Sequence, residues 1–143
     1  LVYVYENNGY VKKITPKLID ALPTLEDPEA LAMFLAVIYM DDGTARNDAY
    51  SGRLCFQSFP LEQLTLFTDY LKSLKLAVSI TRHTVQSGQY SITFLARTFG
   101  DFVDRIEPVV TQVSCMEYKL NRERRANSTW ARQRSSTPPR SQP

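Results

Sequence analysis

Residues 27–43 read Asp-Pro-Glu-Ala-Leu-Ala-Met-Phe-Leu-Ala-Val-Ile-Tyr-Met-Asp-Asp-Gly. Asp27 supplies an N-cap oxygen, Pro28 suits the first helical position, and Glu29 places an acid in the first turn, so a helix starts here. The run from Leu31 to Ile38 is apolar nearly all round, and a helix of that kind must be buried on most faces or pack against a partner. The spacing predicts a helix over 28–41, ending at Asp41-Asp42-Gly43 with Gly43 as a left-handed C-terminal residue. Two adjacent carboxylates at a helix C-terminus meet its partial negative charge. They are costly unless solvated or neutralised by a cation, and their oxygen chemistry suits Mg²⁺. A solvated helix end with Asp beside Gly is the plainer reading of the same residues.

Outward from this helix the pattern alternates. Upstream, Leu1-Val-Tyr-Val-Tyr and Tyr10-Val11-Lys12-Lys13 flank Asn7-Asn8-Gly9 and read as a hairpin or extended arm. A short helix follows over 16–22. Downstream come two strands, about 44–50 and 52–59, then an amphipathic helix over 60–75 with Leu64, Phe67, Leu71 and Leu74 on one stripe. A second hairpin, 77–85 and 89–96, turns at Gln86-Ser87-Gly88. Phe99, Phe102, Val103 and Ile106 mark another helix, which Pro108 is expected to interrupt before 109–120. The order is helix, two strands, helix, two strands, helix, an α+β arrangement with no internal repeat.

The chain has 143 residues, enough for one domain with a real core. Its longest apolar run, 30–40, is about half the ~20 residues of a membrane helix. Cys55 and Cys115, sixty positions apart, suggest neither a disulfide framework nor a zinc site. With no signal peptide in evidence, a bacterial cytoplasm or an organelle is the expected setting, not secretion. A chain opening on Leu1 is expected to begin inside a longer protein.

The formal charge of +2 is unevenly distributed. Residues 121–143 hold six arginines (122, 124, 125, 132, 134 and 140) against Glu123, while the rest holds 11 basic and 14 acidic groups. This tail is nearly devoid of aliphatic residues and is expected to be disordered, a solvated linker in preference to a nucleic-acid contact. The expected organisation is an arm over 1–26, a domain over 27–120 and the basic tail over 121–143.

Tyr39-Met40-Asp41-Asp42 spells the metal-binding box of reverse transcriptases, but that box needs a strand before it and a third Asp far upstream. A helical run precedes it here, and the match is rejected. Leu35-Ala36-Val37-Ile38-Tyr39-Met40-Asp41-Asp42-Gly43 resembles instead the LAGLIDADG motif of homing endonucleases, in the branch whose motif ends Met-Asp-Asp-Gly. The likeness continues in Gln57-Ser58-Phe59, Tyr90-Ser91-Ile92, Ile106-Glu107-Pro108 and Met116-Glu117-Tyr118-Lys119-Leu120. Lys12-Lys13 followed by Pro16 resembles the segment ahead of that branch's second motif. Order and spacing hold over about residues 10–120. Val37 and Met40 depart from the motif's commoner Gly and Asp, a departure this branch tolerates.

The resemblance implies an αββαββα half-domain with a four-stranded antiparallel, saddle-shaped sheet that enters the DNA major groove. It implies a site-specific double-stranded DNA endonuclease using Mg²⁺, in which two motif helices pack side by side and each contributes an acid. By position that acid is Asp42, with Asp41 beside it. Gln57, Lys119 and Lys13 map to polar and basic positions near the scissile group. Ala32 and Ala36, four apart, are the small residues expected at the helix–helix interface. Arg46, Arg53, Arg82 and Arg97 are the expected phosphate or guanine contacts. His83 is read as a groove-facing polar residue instead of a metal ligand. Alternation puts Thr81 and His83 on one strand face and Ile80 and Arg82 on the other, without saying which meets DNA. One motif preceded by about thirty residues implies the C-terminal half of a two-motif protein, or a homodimer. The alternative is the same fold kept as an RNA splicing cofactor acting on intron RNA, or as a DNA-binding regulator, without cleavage.

Overall fold

The computed structural model describes residues 2–6, 9–82 and 88–127. Strands β1 (Val2–Glu6) and β2 (Gly9–Lys13) form an antiparallel hairpin. Helix α1 (Pro16–Ala21) follows, its N-terminus capped by Thr15, whose hydroxyl accepts from the Leu18 N–H. Helix α2 (Pro28–Asp42) starts where Asp27 and Pro28 dictate, with Asp27 Oδ1 accepting from the Ala30 N–H at 3.2 Å. Then come β3 (Gly43–Ala45), β4 (Gly52–Leu54), α3 (Leu61–Ser73), β5 (Val78–Arg82), β6 (Tyr90–Phe94) and α4 (Ala96–Val110). A 3₁₀ helix (Ser114–Leu120) and α5 (Arg122–Asn127) close the described chain. The α+β architecture is the expected one. No helix among the described residues is long and apolar enough to cross a membrane.

The main sheet is antiparallel in the order β3-β4-β6-β5. Its register sorts the two faces by alternation. Leu54, Ile92 and Ile80 stand in one row, with the Phe94–Val78 pair on the same face. Thr44, Arg53, Thr93 and Ser79 form a row on the opposite face, joined by the Ser91–Thr81 pair. Helices cover the apolar face. Tyr39 of α2 meets Phe94 of the sheet and Phe99 and Phe102 of α4 edge-on, at ring separations of 6.4, 6.3 and 5.3 Å. Such arrangements add to the area these rings bury.

Several local expectations change. β3 and β4 span three residues each, because the chain leaves the sheet at Arg46 and returns at Gly52 through a polar loop. Pro108 lies inside α4 and does not end it: Ile106 and Val110, one turn apart and both fully buried, hold the last turn through the missing N–H. The tail does not begin as disordered chain at residue 121. α5 forms over Arg122–Asn127, with Arg122 paired to Glu107 at 2.9 Å and Arg125 to Asp104 at 2.8 Å. Asn121 precedes it in the left-handed region, φ 58°. Its side-chain N–H group donates to the carbonyls of Arg46, Ala49 and Ser51 at 3.1–3.2 Å, fastening the β3–β4 loop.

Candidate nucleic-acid and acid–lysine site

The last turn of α2 is held by three unrelated partners. Helix ends leave carbonyls without intrahelical donors, and each is costly if buried alone. Here the Tyr39 carbonyl accepts from the Gly43 N–H, the Met40 carbonyl from Lys119 Nζ at 2.7 Å, and the Asp42 carbonyl from the Cys55 N–H at 2.7 Å. A lysine ammonium at this terminus also faces the negative end of the helix dipole. Gly43 is extended (φ −89°, ψ 156°), not left-handed as expected. Glycine is required there for room: a Cβ would overlap the Tyr39 ring and carbonyl.

These ties fix where Asp42 stands. Its side chain is half-buried and that of Asp41 is exposed. Burial, and then the Asp41 charge, hold the Asp42 carboxyl above its usual range, while Lys12 and Lys119 pull it down. Lys119 is only 8% exposed, low for a lysine, and is committed to this corner by its bond to Met40. Gln57 lies in the turn after β4, two residues beyond the Cys55 tie to Asp42, and is half-buried. The structure therefore brings together Asp41, Asp42, Lys119 and the turn carrying Gln57. Lys12, which sequence reasoning passed over for Lys13, belongs to the same electrostatic group. Strand alternation turns the two lysines to opposite faces of β2, a signal readable from sequence once β2 is assigned.

No protein-family model matches the chain, and no curated protein matches it. A solved structure described as the homing endonuclease I-WcaI bound to its DNA recognition sequence superposes with a TM-score of 0.61 at 24% identity. The match covers 81% of this chain and 48% of that one. The fold is homing-endonuclease-like. This chain spans about half the length of the homing endonuclease it matches.

Within this homing-endonuclease-like fold the remaining expected residues fall in different places. Arg53 stands on the polar face of the sheet, in the row with Thr44, Thr93 and Ser79. Buried Arg53 Nε and Ser91 Oγ on this face have no hydrogen-bond partner among the described residues. Arg46 lies in the loop after β3 and is held by Asp48 at 2.6 and 2.8 Å. Arg82 belongs by register to the opposite, helix-covered face, at the strand end, with its guanidinium 5.7 Å from the Tyr90 ring centroid. It does not share a face with Arg53, since alternation separates Arg82 from Thr81. Arg97 is exposed in the first turn of α4 and is not part of a strand. His83 lies outside the described residues.

The helix-interface expectation also shifts. Ala36 is fully enclosed within the chain and Ala32 is half-buried beside Arg105, so this pair does not form α2's open face. That face carries Met33 and Val37, 52% and 50% exposed, with exposed Asp41 four residues further on. The helix is apolar all round, so sequence alone did not reveal which stripe its own chain covers.

Proposed function

We propose that this chain is one half of a site-specific double-stranded DNA endonuclease of the LAGLIDADG kind, hydrolysing phosphodiester bonds with a divalent metal. The observation that carries the reading is the end of α2: a half-buried Asp42 held beside Asp41, Lys119 and Lys12, in a fold matching a DNA-bound homing endonuclease. The half-length match and the open Met33–Val37 stripe support pairing with a second such unit. That stripe continues at helical spacing to Asp41, so two helices packed along it in the same direction bring their acid ends together.

The donor chemistry fits a hard cation in part. Asp42 and Asp41 offer carboxylate oxygens whose mutual repulsion a cation relieves, as Mg²⁺ prefers. Among the described residues no third His, Cys, Asp or Glu joins a cluster, so the second unit supplies the remaining protein ligands. When bound, Mg²⁺ supplies a water of lowered pKa and neutralises charge on the phosphate. This chain's own residues do the rest. Lys119 keeps a positive charge at the helix end where a phosphate oxygen gains negative charge, and Gln57 orients water or phosphate from the adjacent turn. On the polar face, exposed Thr44 and half-buried Arg53 and Ser79 offer hydroxyl and guanidinium donors to base edges and phosphates, while buried Thr93 is tied to Thr81. Arg53 suits guanine or phosphate because its fork can bond bidentately.

The deciding experiment uses the paired protein on a plasmid library of randomised targets with Mg²⁺. Target-specific cleavage that disappears in Asp42→Asn is expected. Equal cleavage by the Asn variant refutes the role of Asp42, and tight binding to intron RNA without any nicking favours the splicing-cofactor reading.

A further inference from the structure

We propose that Tyr39 is a positioning residue for Lys119, acting through a reciprocal pair of hydrogen bonds between α2 and the 3₁₀ helix. The Tyr39 hydroxyl donates to the Lys119 carbonyl at 2.7 Å, and Lys119 Nζ donates to the Met40 carbonyl at 2.7 Å. Each side chain thus grips the other element's backbone, one residue apart along α2. The positioning role deepens the nuclease reading and rests on it; the clamp itself stands on geometry alone.

Tyr39 is fully buried, and a buried phenol needs a partner. The Lys119 carbonyl fills that need. The ring cannot swing away. Phe94, Phe99 and Phe102 flank it, and the glycines leave room that it occupies: a Cβ on Gly43 would overlap the ring, and one on Gly52 would stand 2.6 Å from the hydroxyl. A lysine side chain has four rotatable bonds, and an ammonium on such a stem wanders unless both ends are fixed. Tyr39 fixes the backbone end and the Met40 carbonyl fixes the ammonium. The charge is thereby kept at the corner where Asp42 stands, oriented before substrate arrives.

Tyr39→Phe removes one oxygen and leaves the ring. Two readouts apply: the rate of reductive methylation of Lys119 in the 143-residue chain, and Mg²⁺-dependent nicking by the paired protein. Methylation is expected to accelerate about tenfold, the factor for one lost hydrogen bond. The nicking kcat is expected to fall at least about tenfold with KM for DNA unchanged within about twofold. Tyr70→Phe, which removes the hydrogen bond from a different phenol to the Pro23 carbonyl, should lower stability without accelerating Lys119 methylation. Unchanged methylation in Tyr39→Phe overturns the clamp. Faster methylation with unaltered nicking overturns the positioning role. Wild-type protein that never nicks, while Tyr39→Phe still frees Lys119, defeats the nuclease reading and leaves the clamp standing. Should Tyr39→Phe fail to fold, Lys119→Met supplies the reverse measurement. Exchange of the Tyr39 hydroxyl proton, followed by NMR, should quicken about tenfold, and unchanged exchange overturns reciprocity.

Discussion

Replacing Asn121 with glycine leaves the left-handed backbone in place and removes a side chain that touches three carbonyls, those of Arg46, Ala49 and Ser51. An amide NH₂ has two hydrogens, so three acceptors at 3.1–3.2 Å share the equivalent of two bonds. At about 1 kcal/mol net per bond, Asn121→Gly should lose about 1–3 kcal/mol of unfolding free energy. Asn121→Ala loses the same bonds and adds the left-handed penalty of a Cβ, about 1–2 kcal/mol more. Asn121→Asp preserves shape but points a carboxylate at three carbonyl oxygens, and should be less stable than the glycine variant. Urea unfolding followed by circular dichroism reads these differences. Amide exchange at Arg46, whose N–H donates to the Ser51 carbonyl at 2.9 Å, reports whether the loop opens first. An Asn121→Gly protein within about 0.5 kcal/mol of wild type would refute the loop-fastening role. Equal stability of the glycine and alanine variants would refute the left-handed conformation.

Three further outcomes concern α2 and its C-terminal end. Gly43→Ala should cost about 1–3 kcal/mol by forcing the Tyr39 ring and carbonyl aside, although its φ of −89° suits any residue; denaturant midpoints at unchanged m value measure this. Asp42 binds its proton more tightly folded than unfolded, so its contribution is fully present below the unfolded pKa and is lost as pH rises through the folded one. Asp42→Asn should therefore be more stable than wild type at neutral pH and gain nothing at a pH of about 3; an acid-side gain equal to the neutral one contradicts the sign. Val37→Glu, on the half-exposed stripe, should leave monomer stability within about 0.5 kcal/mol of wild type while weakening pairing at least about tenfold, as read by sedimentation.

Much of this was legible in the sequence, for identifiable reasons. Asp27-Pro28 sets the start of α2, and the Asn-Gly hairpin and both strand pairs announce themselves through alternation and turn residues. Asp42 and Lys119, far apart in the chain, are expected at one site, and Lys119 does reach the end of α2, where it bonds the Met40 carbonyl and acts electrostatically on Asp42. What escaped depends on tertiary contacts. Alternation alone makes the strands either side of the loop too long, because the tie from Asn121, seventy and more residues away, decides where the chain leaves the sheet. Pro108 is overridden by buried neighbours within its own turn. The small size of Ala36, four residues from Ala32, points to a helix interface, but on a helix apolar on every side only α4 shows that its own chain covers Ala36. Arg82 and Arg53 are alike as letters, and register alone puts them on opposite faces. Tyr39 did leave a trace: a phenol inside an apolar helix demands a hydrogen-bond acceptor somewhere in the fold.

The proposed role of Asp42 is phosphodiester hydrolysis on DNA. Its most direct measurement is Mg²⁺-dependent cleavage of a selected target by the paired protein, wild type against Asp42→Asn, with DNA affinity measured in parallel. The proposed role predicts cleavage by the wild type, at least about 10³-fold less by the variant, and DNA affinity within about threefold. Cleavage at the wild-type rate by Asp42→Asn, or none by a wild-type protein that binds its DNA, would contradict it.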